Sequence, residues 1–127
     1  MKALLLAPWL AAALVPAGAE PVHYRIDPQH SFVTFELLHF GTSTLRGRFD
    51  RKEGTVQFDR AGKSGKAQIA IDMTSVSTGV GPLDGHLKSK DFFDAAANPS
   101  ATFVADKFVF DGDKVTEVVG SLALLGR

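Results

Sequence analysis

Cysteine is absent from all 127 residues, which excludes disulfides and thiolate metal sites and leaves packing to hold the fold together. Charge of one sign is lacking too. Fourteen basic residues stand against 14 acidic ones, a balance that gives no electrostatic footprint for nucleic acid. The four histidines, His23, His30, His39 and His86, are scattered without the HxH or HxxxH spacing of a local zinc site. No GxSxG elbow occurs, and Lys63-Ser64-Gly65-Lys66 lacks the spacing of a phosphate-binding loop. Nothing in the chain argues positively for catalysis or for a cofactor.

The longest apolar run lies at the start. Lys2 provides a positive end, Ala3 to Val15 is apolar apart from Pro8, and Pro16-Ala17-Gly18-Ala19 offers small residues for a signal peptidase. The run falls short of the roughly 20 residues that span a bilayer, so a cleaved export signal is expected, with no membrane span in the mature chain. Cleavage after Ala19 leaves 127 − 19 = 108 residues, one domain, with 14 − 1 = 13 basic residues (Lys2 being lost) against 14 acidic ones. An exported chain without cysteine fits a Gram-negative periplasm better than an animal secretion.

Beyond the signal the pattern is that of strands. Ser31–Leu38 alternates with Val33, Phe35 and Leu37 on one face, and Thr44–Asp50 sets Leu45, Gly47 and Phe49 against Thr44, Arg46 and Arg48. Arg51–Asp59, Lys66–Met73, Ala101–Phe110 and Lys114–Leu125 continue the series, with a hairpin turn at Asp111-Gly112-Asp113. About six strands at roughly ten-residue spacing predict an antiparallel sheet that curls or sandwiches. Glycines and Pro82 break the series between Thr78 and Gly85, and Leu83 to Lys90 predicts one short helix with Leu83 and Leu87 on one side.

The segment Gly85-His86-Leu87-Lys88-Ser89-Lys90-Asp91-Phe92-Phe93-Asp94, running on to Pro99, carries two adjacent rings in an otherwise polar connection. Leaving them in water forfeits about 1.5–3 kcal/mol each, so both are expected to dock on another part of the fold with their polar flanks at its rim, and Asp91 is expected to cap the turn. Together with Asp27-Pro28-Gln29-His30-Ser31-Phe32 and Arg46-Gly47-Arg48-Phe49, this segment resembles the YceI-like family of bacterial periplasmic proteins over about residues 24–126. The resemblance implies a mainly β, lipocalin-like antiparallel barrel and association with polyisoprenoids or other long-chain lipids. It also implies further strands beyond Leu122-Ala123-Leu124-Leu125-Gly126. A ligand-holding barrel needs about eight strands, so the barrel is expected to be incomplete, the chain being a fragment or being completed by a second copy as a homodimer.

Ten phenylalanines supply the rings for an apolar interior. Phe35, Phe49, Ile69, Ile71, Phe92 and Phe93 are the expected apolar contacts of a long-chain isoprenoid or fatty amphiphile; equally, they can fill a solid core. His30, Arg46 and His86 are the candidates for its polar end. Each has a plainer role: His30 pinning the barrel base, Arg46 on a solvated face with Arg48, His86 in an exposed turn. Two other functions compete with a carrier, a hydrolase or isomerase of a small lipid and a stress-related interaction module.

Overall fold

Period-two alternation becomes two antiparallel sheets in the computed structural model, which describes residues 20–127. The expected signal segment, residues 1–19, lies outside the described residues. In chain order the elements are β1 (Val22–Arg25), β2 (Val33–His39), β3 (Ser43–Phe49), β4 (Lys52–Asp59), β5 (Ser64–Asp72), a 3-10 turn (Met73–Ser75), β6 (Val76–Ser77), α1 (Gly81–Lys88), β7 (Ser100–Asp111) and β8 (Lys114–Ala123). One sheet runs β1-β4-β5-β7-β8 and the other β2-β3-β6. The fold is mainly β with one α-helix, as the alternation predicts, but among the described residues the sheets do not close into a barrel.

Three ribbons cross from one sheet to the other at a shared corner. Backbone bonds from Ile26 N to Gly54 O (3.0 Å), Asp50 N to Ser75 O (3.1 Å) and Asp72 N to Arg51 O (3.0 Å) continue the ladders through the bend. Thus β1 leads into β2, β3 into β4, and β5 into β6, as strands do when they switch sheets at a corner. The corner is held by side chains. Asp72 accepts from Thr74 N at 2.8 Å and from the Thr74 hydroxyl at 2.6 Å, and its other oxygen accepts from Arg51 Nε at 2.8 Å. The buried Ser75 hydroxyl accepts from Arg51 N at 2.9 Å and donates to Asp72 O at 2.7 Å.

These bonds, the Thr74 hydroxyl foremost and Arg51 next, hold the Asp72 carboxyl below its ordinary value of 3.8. A depressed carboxylate adds stability above its unfolded pKa, and that contribution is lost as pH falls through the lower folded value. Asp72→Ala is therefore expected to cost about 0.5–2 kcal/mol at neutral pH, the range for losing such a cap. Urea titrations of both proteins should show the difference shrinking as pH is lowered below about 3.8.

The helix starts two residues earlier than expected and stops at Lys88. Pro82 sits in its first turn, where no N–H is needed, and Asp84 reaches back to accept from Thr78 N (2.7 Å) and the Thr78 hydroxyl (2.6 Å). Leu87 is buried and Leu83 packs beside it, against a core that includes Phe49, Ile71, Met73 and Val76. Asp91 does not begin a turn with its carboxylate; its N–H donates to the Ser89 hydroxyl at 3.4 Å. Strand β8 ends at Ala123, short of Leu125: Leu124 and Arg127 exchange backbone bonds, Leu125 turns left-handed at φ 55°, and Leu124 packs on the core.

Candidate functional site: the inner face of the bent sheet

The concave side of the sheets carries two aromatic groups. Phe35, Phe49 and Phe93 form the first, with ring centroids 5.6 Å (Phe35–Phe49), 5.6 Å (Phe49–Phe93) and 6.2 Å (Phe35–Phe93) apart. Gly47 makes this possible: a Cβ there would run into the Phe35 ring. Ile71 is buried in the same cluster and Ile69 packs against it. Five of the six expected apolar contacts thus come together, and here they pack as a core.

Phe92 departs from expectation. It is 46% exposed, and its ring meets His86 of its own segment edge-on at 4.8 Å instead of docking on another part of the fold. Adjacent residues of the turn face opposite ways, so only Phe93 can reach Phe49.

The second group, Phe58, Phe108 and Phe110, lies farther along the same face and outside the buried core. Phe58 and Phe110 stack at 5.7 Å and 28°, and Phe58 and Phe108 stand 6.4 Å apart. Gly65 lies under the Phe108 ring, where any Cβ would collide with it. Strict alternation from Ala101 would aim Phe108 and Phe110 outward. A register shift between Ala105 and Lys107 inserts Asp106 as an extra residue and turns both rings inward. Phe103 pairs with Leu122, and Phe108 with Val118. Cross-strand partners share a face, so Leu122 (56% exposed) and Val118 (42% exposed) extend this apolar surface to the open edge of β8.

Cations border the second group. Lys63 Nζ lies 5.6 Å from the Phe110 centroid and the Arg60 guanidinium carbon 5.9 Å from that of Phe58. Lys63 also bonds the Gly112 carbonyl and Asp113, whose carboxyl it holds below the ordinary value. A cleft of about 670 Å³ opens here, with Tyr24, Phe58, Arg60, Lys63 and Asp113 in its wall.

The three polar candidates stand apart from this face. His30 is exposed, with Nδ1 2.7 Å from Asp27 Oδ2, an arrangement that closes the turn between β1 and β2. The Asp27 carboxyl is held low by His30 first and by the Gln29 N–H next. Arg46 sits on the outer face, its Nε donating to Glu36 at 2.7 Å, and Arg48 beside it donates to Asp50 at 2.7 Å. This is the solvated-face arrangement that the alternation of Leu45, Gly47 and Phe49 implies. His86 is exposed in the last turn of α1. A second cleft of about 640 Å³ lies near the corner, walled by Pro28, Arg51, Lys52, Asp72 and Pro99. None of the nine expected contact residues lines either large cleft. Among the described residues no three His, Asp or Glu side chains gather as a metal site, and no helix is long and apolar enough to cross a membrane.

Comparison with known proteins places this geometry. The family model for the YceI-like domain matches residues 24–127. A "UPF0312 protein" of Pseudomonas aeruginosa and "Protein YceI" of Shigella sonnei are each 38% identical over 130 residues, covering 99% of this chain and 68% of theirs. Among solved structures, BcnA of Burkholderia cenocepacia is similar at a TM-score of 0.70 and 31% identity, over 80% of this chain and 64% of that one. A polyisoprenoid binding domain from Saccharophagus degradans, implicated in plant cell wall breakdown, is similar at a TM-score of 0.50 and 26% identity, over 75% of this chain and 53% of that one. The chain spans about two thirds of the length of the relatives it matches. With the family model covering all but the first 23 residues, the chain belongs to the YceI-like family.

Proposed function

We propose that this protein is a non-enzymatic periplasmic carrier that binds a long-chain isoprenoid or fatty amphiphile along the inner face of its bent sheet. The observation that carries the reading is the stack of Phe58, Phe108 and Phe110, three rings facing inward yet left outside the packed core. The three rings are half-buried and take no part in the buried cluster, and a ligand chain laid across them removes the rest of their surface from water, at about 0.8 kcal/mol per buried CH₂. The family's lipid association, and the Saccharophagus domain described as polyisoprenoid binding, support the same ligand class. Phe35, Phe49, Phe93, Ile69 and Ile71 then form the floor against which the trough is built. His30, Arg46 and His86 stand apart from this face, so the polar end of the ligand falls to the cations that border the second aromatic group, Arg60 and Lys63.

Export through the residue 1–19 signal and cleavage after Ala19 belong to the same proposal. Native mass spectrometry of protein released gently from exporting cells tests all of it together. The expected species is a chain beginning at Glu20 carrying an unmodified lipid. A chain that retains Met1, or one that takes up no polyprenol on incubation, would contradict the proposal. Recovery of a chemically altered lipid would favour the hydrolase or isomerase instead.

A further inference from the structure

Lys63 ends the turn between β4 and β5 in a left-handed conformation, at φ 51°. That conformation favours glycine, yet the turn's glycine stands one residue earlier, at Gly62, whose N–H donates to Asp59 at 2.7 Å. The Lys63 side chain crosses to the β7–β8 turn, 49 and 50 residues on, where its ammonium donates to the Gly112 carbonyl and to Asp113. Its Nζ lies 5.6 Å from the centroid of Phe110, which stacks on Phe58. An exposed ion pair such as Lys63–Asp113 contributes little by itself, so stability does not explain a lysine in a position that suits glycine. Residues held in this way cluster at ligand sites. An ammonium has three protons, and the two turns take two of them. The third stands at the end of the Phe58–Phe110 stack.

We infer that Lys63 reads the head of the ligand, its third proton donating to an uncharged oxygen, a hydroxyl or a carbonyl, at the end of the chain. Resting on the carrier reading above, this fixes the direction of the ligand. The head lies at the two turns, and the tail runs along the inner face towards Phe103 and Leu122, which pair across β7 and β8. An ammonium already held by two acceptors loses little freedom when a third arrives, whereas the Arg60 guanidinium only overlies Phe58. Charge selects against an anionic head. In the cleft wall Arg60 and Lys63 are matched by Asp59 and Asp113, with Glu20 beside them, so no surplus cation is offered to an anion. Lys63 also holds the Asp113 carboxyl below its ordinary value of 3.8. The carboxylate therefore stays charged at neutral pH and neutralises the ammonium that a phosphate requires.

Displacement of the headless apolar dye diphenylhexatriene from the full chain tests this with three ligands of equal isoprene length: a polyprenol, the parent hydrocarbon without its hydroxyl, and the polyprenyl phosphate. The readout is the ratio of the hydrocarbon Kd to the polyprenol Kd, compared between variants so that the ligands' own hydration cancels. Lys63→Met removes the donor and keeps the length of the side chain. Lys63→Gly removes the donor and relieves the left-handed backbone, so it keeps the fold. Lys66→Met removes one positive charge from the opposite face of the sheet, where Lys66 pairs with Gln57. Both Lys63 variants are expected to lower the ratio at least about threefold, as the loss of one hydrogen bond does, and Lys66→Met is expected to leave it as in the native chain. The native chain is expected to bind polyprenyl phosphate several-fold more weakly than polyprenol. A ratio unchanged in both Lys63 variants, an equal fall in Lys66→Met, or tighter binding of the phosphate would overturn the inference and leave the carrier standing. A native chain that binds none of the three ligands would remove the carrier reading, and the role of Lys63 with it.

Discussion

Phe49→Ala is expected to lower the stability of the fold by about 3–5 kcal/mol and to move its unfolding to much lower denaturant. The ring is 7% exposed and sits 5.6 Å from both Phe35 and Phe93, at the meeting of β3, β6 and the segment after α1. Truncating a buried Phe costs about 3–5 kcal/mol, through lost transfer free energy and the cavity left behind. A domain of this size has about 5–15 kcal/mol in total, so the loss removes about a fifth of it or more. Collapse of the site is limited because the β3–β6 ladder fixes one wall and Leu87 the other. Denaturant unfolding followed by near-ultraviolet circular dichroism would measure the effect; a midpoint unchanged within error would mean that the aromatic triad is not the core.

Gly47→Ala carries the second large effect, for the opposite reason. All three atoms nearest to an added Cβ belong to the Phe35 ring. That ring is partly buried and flanked by Phe49 and Phe93, which restrict its retreat. Overpacking of this kind costs about 1–3 kcal/mol. The decisive control is the double variant Gly47→Ala, Phe35→Leu. If the clash is with the ring, shortening it recovers part of the loss, so the two changes together destabilise by less than the sum of each alone. Additive costs would place the fault in the β3 backbone.

Much of this architecture is legible in the chain because the strands of the bend's inner face alternate cleanly. Val33 and Phe35, Leu45 to Phe49, and Ala67 to Ile71 all turn the side that period two assigns to them. What escapes has identifiable causes. Strand β1 is four residues, all exposed, between Pro21 and Asp27-Pro28, so it offers no apolar alternation although His23 pairs with Gln57 in it. Strand β6 is two residues and exists only as the continuation of β5 past the Asp72 corner. The aromatic stack escapes because parity changes at Asp106; a bulge has no composition of its own, and an unbroken alternation hides Phe108 and Phe110 on the wrong side. The one legible hint is Gly65, a strand glycine, which marks a close approach. Phe92 escapes because two neighbouring rings cannot both reach one core from a single turn.

The claim that the inner face holds a long-chain ligand is tested most directly by titrating the protein with a fluorescent polyprenol analogue and comparing two variants. Phe58→Ala, Phe110→Ala removes the stacked pair of the trough. Val104→Ala removes an exposed side chain, 50% accessible, that pairs with Gln68 and Ser121 on the opposite face of the same sheet. The account predicts a Kd raised at least about tenfold in the first variant, as follows from burying two fewer rings, and an unchanged Kd in the second, with both proteins still folding cooperatively. Equal affinity in the two variants, or a loss confined to Val104→Ala, would contradict it.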